Sequence, residues 1–278
     1  MALSIHTNYS SLVTQTNLNK TNNSLASNQQ RLGTGLRINS AADDAAGLQI
    51  ATRLNAQSRG MDVAIRNTGD SISLLQTAEG AFNETTDILQ RMKDLATQSA
   101  NDTNSVADRT ALQGEFDELS KEITNIFNNT KYAGEALFTS KFTAAVSFQI
   151  GASTAETLSF DVSANLTTLD TTLNTTVPGL SLASAATSGA AITALETALD
   201  DVGSMRASFG ANINRLNHTA NNLANMKDNT DMSKGRIMDA DFAKESATMS
   251  KNSMLMQSGI SMLKQAGQMP GMVMSLLG

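Results

Sequence analysis

Proline is absent from the first 177 residues of this chain, and the whole sequence of 278 residues contains only Pro178 and Pro270. A proline inside a helix removes one backbone hydrogen bond and usually bends or ends the helix. Its absence over such a length permits helices far longer than those of an ordinary globular domain. The first question is therefore whether the apolar residues follow helical spacing.

Three stretches of the sequence do follow it. The first is a seven-residue repeat at Leu54, Met61, Thr68, Leu75, Phe82 and Leu89, with Ile65 and Ile72 beside it. The second alternates steps of four and three, at Leu112, Phe116, Leu119, Ile123 and Ile126, after helix-start signals at Asp108 and Thr110. The third has the same steps, with breaks at Arg206 and Lys227: Leu195, Leu199, Val202, Arg206, Phe209, Ile213, Leu216, Ala220, Leu223 and Lys227. Such spacing is typical of helices that pack along a seam, and at about 1.5 Å per residue these helices reach roughly 50 Å or more. The sequence predicts a mainly α fold, a long antiparallel bundle with coiled-coil packing.

The middle of the chain has a different pattern. Val146, Phe148 and Ile150 alternate with polar residues, and Leu158, Phe160 and Val162 alternate again after a Gly-containing loop. Two period-2 runs joined in this way predict a small β-hairpin. The Thr-rich stretch from Ser163 to Val177 is predicted as loop with some strand, and Pro178-Gly179 as a turn.

Both ends of the chain carry a thin apolar stripe on a weakly charged, polar background. Its residues are seven apart within each of three sets: Ile5 and Leu12; Leu18, Leu25 and Leu32; and Phe242, Met249, Met256 and Leu263. Two such helices would pair with each other, yet the pair would bury little apolar surface. One interpretation is a pair of surface helices on the bundle. The other is that further copies of the chain bury the remaining surface, to which the methionine-rich C-terminal stretch would adapt well.

Composition and charge argue against several functional classes. The net charge is −6 without a Lys/Arg cluster, so nucleic acid is not an expected partner. No apolar run is long enough for membrane insertion. The first residues lack a charged segment followed by an apolar run, so no cleaved secretory signal is expected. The chain would then stay in the cytoplasm or be exported by another route.

No constellation of residues indicates catalysis. The chain has no cysteine, and its two histidines, His6 and His218, lack a second histidine at metal-binding spacing. Gly33-Thr34-Gly35 is not followed by the Gly-Lys-Ser/Thr of a phosphate loop. The acidic pairs Asp43-Asp44 and Asp239/Asp241 are interpreted as helix caps, in preference to a cation site. We expect no catalytic residue, no bound metal and no cofactor.

Long motifs at both ends resemble those of bacterial flagellins. The N-terminal ones are RLGTGLRINSAADDAAGL at 31–48, QTAEGA at 76–81 and LQRMKDLATQSAN at 89–101. The C-terminal ones are RIMDADFA at 236–243, QAGQMP at 265–270 and SLLG at 275–278. The resemblance covers about 1–140 and 190–278. The chain looks like a short flagellin without the outer variable domains, because its middle is brief.

The resemblance implies a structural subunit that polymerises into the flagellar filament used for motility. Terminal coiled-coil segments, 1–44 and 236–278, would line the inner tube through the nine stripe residues named above. The bundle domain would comprise 45–140 and 191–235, with the β-hairpin and a short variable loop region at 141–190. The protein would be extracellular, exported without a cleaved signal peptide.

The same resemblance implies partners. These are other copies of the chain, an export chaperone at the C-terminal helix, the filament cap and the hook-associated junction proteins. A Toll-like innate receptor of animal hosts would contact Arg91, Leu95 and Glu115, which have the residue types of recognised members. The alternatives that the sequence leaves open are a hook–filament junction protein, whose termini are similar, and a soluble coiled-coil adaptor.

Overall fold

The structure, a computed structural model, describes residues 7–277, although not the side chains of residues 269, 270 and 272–277. This part of the chain is mainly helical. Its α-helices are α1 (Tyr9–Thr34), α2 (Ala45–Ser99), α3 (Val106–Asn129), α4 (Ser163–Thr171), α5 (Ala185–Met238) and α6 (Phe242–Leu277). Its strands are β1 (Lys131–Tyr132), β2 (Glu135–Ala136), β3 (Val146–Gln149) and β4 (Thr157–Phe160). The predicted mainly α class is confirmed.

The chain divides into two compact units. One consists of the two ends, up to Ala56 and from Asn229 onward, and the other of Gln57–Asp228. We call them the terminal unit and the central unit. Since α2 and α5 each contribute residues to both, neither unit corresponds to a single run of helices.

In the central unit, α2 and α5 run antiparallel. The Lys93 ammonium lies 2.9 Å from the Glu196 carboxylate, and the Lys227 ammonium lies 2.7 Å from the Asp62 carboxylate. Residue numbers therefore rise along α2 in the direction in which they fall along α5. The predicted seams of both helices are buried in this unit, with exposed fractions of 1% or less at Met61, Thr68, Leu75, Phe82, Leu89, Leu195, Val202, Phe209 and Leu216. Lys227, a predicted break in the seam, thus has an ionic partner on α2.

Helix α3 begins at a capping box. The Ser105 hydroxyl accepts a hydrogen bond from the Asp108 backbone N–H, and the Asp108 carboxylate accepts one from the Ser105 backbone N–H. These contacts satisfy backbone donors that the first turn of a helix leaves without partners. Asp108 is therefore confirmed as part of the start signal. Thr110 is not, since its hydroxyl donates to the Val106 carbonyl inside the helix.

Phenylalanine fills the core of the central unit. Eight of the nine phenylalanines belong to it: Phe82, Phe116, Phe127, Phe138, Phe142, Phe148, Phe160 and Phe209. Phe209 is central, with its ring centroid 5.5 Å from Phe82, 5.2 Å from Phe142 and 5.1 Å from Phe160, all edge to face. Few aromatics thus suffice, because they are concentrated where the hairpin meets the helices.

Strands β3 and β4 form the predicted antiparallel hairpin. Val146 pairs with Phe160, and Phe148 with Leu158, so that Phe148, Leu158 and Phe160 are buried on one face. The loop of the hairpin lies against α2: a Cβ added to Gly60 would be 2.5 Å from the Ala152 Cβ. The Asn67 side-chain amide also donates to the Gln149 carbonyl, at 3.3 Å. Gly60 is needed for this close approach.

The prediction of loop with some strand from Ser163 to Val177 is wrong. This stretch forms α4, followed by a π-helical turn over Thr172–Thr176 and a 3-10 turn over Val177–Gly179. The apolar residues Leu166, Leu169, Leu173 and Val177 are spaced by three or four, and all are buried. Their spacing is helical, and the many threonines obscured it, although their hydroxyls bond to carbonyls four residues earlier, as Thr167 does to Ser163.

Candidate assembly surface

The ends of the chain pair as antiparallel helices, as predicted. We call α1 and α6 the terminal pair. The Arg31 guanidinium, near the end of α1, lies 3.3 Å from the Glu245 carboxylate at the start of α6. In the middle, a Cβ added to Gly259 would lie 3.1 Å from the Leu18 Cδ1. At the far end, the Asn8 side-chain amide donates to the Ala266 carbonyl at 2.6 Å.

The inner seam of the terminal pair consists of the residues that are at least half-buried at alternating steps of three and four. On α1 these are Ser11, Thr14, Leu18, Thr21, Leu25, Asn28 and Leu32; on α6 they are Glu245, Met249, Asn252, Met256, Gly259, Leu263 and Ala266. More than half of these residues are small or polar. The seam therefore brings the helices close together but buries few large apolar side chains.

A second set of apolar side chains on these helices is exposed, and we call it the outer apolar set. Its members are Tyr9, Leu12, Val13, Phe242, Met254, Leu255, Ile260 and Met262, with exposed fractions from 40% to 66%. Phe242 is the one phenylalanine outside the core. Exposed large apolar side chains on neighbouring surfaces mark interaction sites more often than isolated ones do.

The predicted stripe residues divide between these two sets. Leu18, Leu25, Leu32, Met249, Met256 and Leu263 belong to the inner seam, whereas Leu12 and Phe242 belong to the outer apolar set. Ile5 lies outside the described residues. Sequence reasoning missed Tyr9, Val13, Met254, Leu255, Ile260 and Met262. Leu255 and Met262, seven residues apart, were a signal for a second stripe on α6.

The segment between α1 and α2 fastens the base of the terminal pair, which is the end where α1 finishes and α6 begins. Gly35 ends α1 in the left-handed conformation, with φ +72°, which glycine adopts without strain. Its carbonyl accepts from the Ala240 N–H at 2.9 Å, and the Arg37 N–H donates to the Met238 carbonyl at 2.6 Å. Leu36 and Asp239 thus form an isolated antiparallel bridge. The start of α6 is tied to the end of α1 by backbone bonds.

Of the four acidic residues predicted as helix caps, Asp44 and Asp241 cap helices, Asp43 caps a turn, and Asp239 lies in the isolated bridge with Leu36. The Asp44 carboxylate accepts from the Gly47 N–H at the start of α2, and Asp241 accepts from the Ala243 and Lys244 N–H groups at the start of α6. The Asp43 carboxylate accepts from the backbone N–H groups of Asn39 and Ser40. These bonds lower the pKa of Asp43 below 3.8, with smaller contributions from the Ser40 hydroxyl and from Arg31, against a partial rise from burial.

Among residues 7–277, no cluster of three or more His, Asp or Glu side chains is arranged to hold a metal ion. Over the same described residues, no helix has both the length and the apolarity required to cross a bilayer.

The predicted receptor surface is only partly at the surface. Arg91 and Glu115 are exposed and joined by two hydrogen bonds, from the Arg91 Nε and Nη2 to one carboxylate oxygen at 3.0 and 2.7 Å. Leu95, by contrast, is 1% exposed and belongs to the core. The apolar face of α2 directs it inward, and its place in that surface stays a prediction. Whether a receptor binds Arg91 and Glu115 stays a prediction.

The sequence matches two family descriptions that together cover most of the chain. The bacterial flagellin N-terminal helical region matches residues 5–143, and the bacterial flagellin C-terminal helical region matches residues 192–277. The unmatched stretch between them includes β3, β4 and α4.

Full-length relatives carry the same name. The chain is 36% identical to Flagellin A of Vibrio anguillarum over 379 aligned positions, and 35% identical to Polar flagellin C of Vibrio parahaemolyticus over 384, with 100% of both chains covered in each case. Because this chain has 278 residues, those relatives contain residues without a counterpart here.

Solved structures agree in fold. The crystal structure of Bacillus cereus flagellin has 34% sequence identity and a TM-score of 0.50, over 57% of this chain and 88% of that one. A putative flagellar hook-associated protein from Vibrio parahaemolyticus has a TM-score of 0.56 over 71% of this chain and 100% of that one, at only 16% identity. The second likeness is one of fold alone.

Proposed function

Because this chain belongs to the bacterial flagellin family and is a structural subunit of the flagellar filament, we propose that its terminal pair drives assembly through the outer apolar set. Flagellin polymerises, so other copies of the chain are its principal partners. Relatives form the extracellular filament. The question that remains is which side chains meet between subunits and which hold one subunit together.

The exposure of the outer apolar set carries this proposal. Leu12 and Met262 are 59% and 61% exposed on the two helices of the pair, while the inner seam is filled largely by small and polar residues. Each large apolar side chain that a neighbouring copy covers would contribute about 1.5–3 kcal/mol. The inner seam cannot provide this binding energy between subunits, because its residues already pack within one subunit.

The proposal therefore assigns the nine predicted stripe residues two roles. Leu12 and Phe242 would contact neighbouring subunits, as would Ile5 by its place in the sequence. Leu18, Leu25, Leu32, Met249, Met256 and Leu263 would join α1 to α6 within a subunit. Methionine suits the outer set, because its flexible side chain adapts to neighbours in slightly different arrangements.

Seeded filament growth tests the proposal. Leu12→Gln and Met262→Gln should each raise the critical concentration about tenfold or more, since each 1.4 kcal/mol of lost contact is a factor of ten. Val106→Gln is the matched control: this side chain is 79% exposed on α3, outside the terminal pair. If both outer-set variants grew filaments at the wild-type critical concentration, the assigned surface would be refuted.

Further partners are proposed from the family resemblance. An export chaperone would bind the C-terminal helix before assembly, and the exposed methionines of α6 offer the apolar contacts it would need. Filament cap and hook-associated proteins would contact subunits at the two ends of the filament. We also propose export without a cleaved signal peptide, no enzymatic activity, and the five-segment division at residues 44, 140, 190 and 235.

The receptor proposal concerns Arg91, Leu95 and Glu115, of which Arg91 and Glu115 are the exposed members. Both side chains are about half-exposed and held together, at 56% and 46% of their full accessibility, so a partner could meet them as one charged patch. Receptor activation by the purified chain, compared with Arg91→Ala and Glu115→Ala, tests this. Full activation by both variants would exclude the patch.

The hook-junction and adaptor alternatives are not favoured. Relatives named flagellin match the full chain at 34–36% identity, whereas the hook-associated structure shares the fold at 16%. Electron microscopy of the purified protein at high concentration separates the possibilities, because long filaments are expected of a flagellin and discrete oligomers of an adaptor.

A further inference from the structure

Pro270 lies inside α6, seven residues before Leu277, the last residue of the helix, and it leaves a gap in the helix hydrogen bonds. A proline nitrogen carries no hydrogen, so it cannot donate to the carbonyl four residues earlier, which is that of Ala266. Ala266 is only 8% exposed. A carbonyl that is shielded from water and has no donor is costly, so a donor from elsewhere in the chain would stabilise this part of α6.

Asn8 supplies that partner. Its side-chain Nδ2 donates to the Ala266 carbonyl at 2.6 Å, across 258 residues of sequence. Its Oδ1 accepts from the Ser11 N–H at 3.0 Å and so caps the start of α1. One short amide therefore performs both tasks. Serine and aspartate cap helices equally well, but a carboxylate cannot donate, and a serine hydroxyl is shorter than the asparagine amide.

The inner seam alone specifies the position of the far end of the pair poorly. Leu18, Leu25 and Leu32 repeat every seven residues, as do Met249, Met256 and Leu263, so one repeat resembles the next. The base is held by the bridge from Leu36 to Asp239 and by the ion pair of Arg31 with Glu245. The far end of α1, about 35–40 Å away along the helix, has no such backbone bridge to α6 among the described residues.

We propose that Asn8 and Pro270 are a matched pair that fastens the start of α1 to α6. Pro270 leaves the Ala266 carbonyl without its donor inside the helix, and the Asn8 amide donates to that carbonyl instead. This bond fixes the register of α1 against α6 at the far end of the terminal pair. Asn8 is then a positioning residue for assembly, because Tyr9, Leu12 and Val13 of the outer apolar set follow it directly. The inference rests on the assembly role proposed above and adds a specific device to it.

A double-mutant cycle in the full chain tests the pair. Asn8→Ser and Asn8→Asp keep the cap but remove the amide donor. Pro270→Ala restores a backbone N–H that can bond to the Ala266 carbonyl within α6. The proteins compared are wild type, Asn8→Ser, Asn8→Asp, Pro270→Ala and the Asn8→Ser/Pro270→Ala double variant, with Asn19→Ser as the exposed control on α1. The readouts are the critical concentration and the hydrogen exchange of residues 9–20, in filaments and in dilute subunits.

With Pro270 present, Asn8→Ser and Asn8→Asp should speed exchange over residues 9–20 by about five- to tenfold and raise the critical concentration similarly. In the Pro270→Ala background, Asn8→Ser should change either quantity less than about twofold. The control Asn19→Ser should also change either quantity less than about twofold. An equal effect of Asn8→Ser in both backgrounds, or none in either, overturns the inference. If a variant does not assemble, exchange in dilute subunits decides. Failure of the assembly role itself would appear separately, as normal growth of Leu12→Gln and Met262→Gln.

Discussion

Arg31 and Glu245 are joined across the base of the terminal pair, with the guanidinium Nη1 3.3 Å from a carboxylate oxygen. Their side chains retain only 29% and 14% of full accessibility, and the Asp43 carboxylate lies 4.0 Å from the same guanidinium. A partly shielded charge pair of this kind is stronger than a pair at an open surface. It stands where α1 ends and α6 begins, beside the backbone bridge.

Replacing Arg31 should weaken the base of the pair. Arg31→Gln removes the charge partner of Glu245, and we expect a loss of about 1–2 kcal/mol in the stability of the terminal unit. Lys20→Gln, on the exposed face of α1, is the matched control and should change it by less than about 0.5 kcal/mol. Hydrogen exchange of the α1 amides measures the change in stability for both variants. Equal exchange in the two variants would contradict a role for the ion pair.

Acid should release the turn that Asp43 holds. The pKa of Asp43 in the folded chain lies below 3.8, so its contribution to stability is fully present above that pH and is lost as the pH falls through the lower folded value. Asp43→Asn should therefore be less stable than wild type near pH 6, and the difference should shrink as the pH falls below 3.8. Dissociation of filaments of both proteins, followed by light scattering as the pH is lowered, measures this difference in stability. Glu84→Gln, an exposed change on α2, is the control.

Gly60 should tolerate no side chain. Alanine usually stabilises a helix interior by about 1 kcal/mol over glycine, yet Gly60→Ala would place its Cβ 2.5 Å from the Ala152 Cβ. We expect a net loss of about 1–3 kcal/mol and faster exchange in the hairpin loop. Gly80→Ala, on the same helix with open space around it, should stabilise the chain instead. Adding Ala152→Gly should rescue Gly60→Ala; without rescue, the contact is not the cause.

Two phenylalanines should separate folding from assembly. Phe209→Ala removes a ring that meets three others in the core and should cost about 3–5 kcal/mol in chemical denaturation of the full chain. Phe242→Ala, at a site that is 62% exposed, should leave the denaturation midpoint of dilute subunits nearly unchanged but raise the critical concentration for filament growth. If Phe242→Ala instead lowered the denaturation midpoint and left the critical concentration unchanged, Phe242 would belong to the folding core.

The long helices could be predicted from the sequence because two independent signals agree there. Proline is absent, and apolar residues such as Leu75 and Leu216 fall at the spacing of a packing seam. The helix containing Leu166 and Leu169 was harder to predict, because threonine favours strands and the apolar residues of this stretch keep helical spacing over only a few turns. Local propensity was overridden by burial of four apolar residues in the core.

The two faces of the terminal pair could not be separated by seven-residue spacing alone. Leu12 and Leu18 are six residues apart, which places them about 120° apart around a helix, and only Leu18 faces α6. Phe242 continues the stripe of Met249, but it is the first residue of α6 and lies level with the end of α1. The contact of Asn8 with Ala266 joins residues too distant in sequence for any local pattern to reveal.

That contact also orders the events by which a subunit matures. Arg91 and Glu115 are 24 residues apart and can meet as soon as one helical hairpin forms, whereas Asn8 and Ala266 are 258 apart. Closing the longer loop costs more entropy, so the terminal pair completes after the hairpins. A chain that is truncated, or still emerging, cannot make this last closure, so only a finished molecule presents both helices to its neighbours.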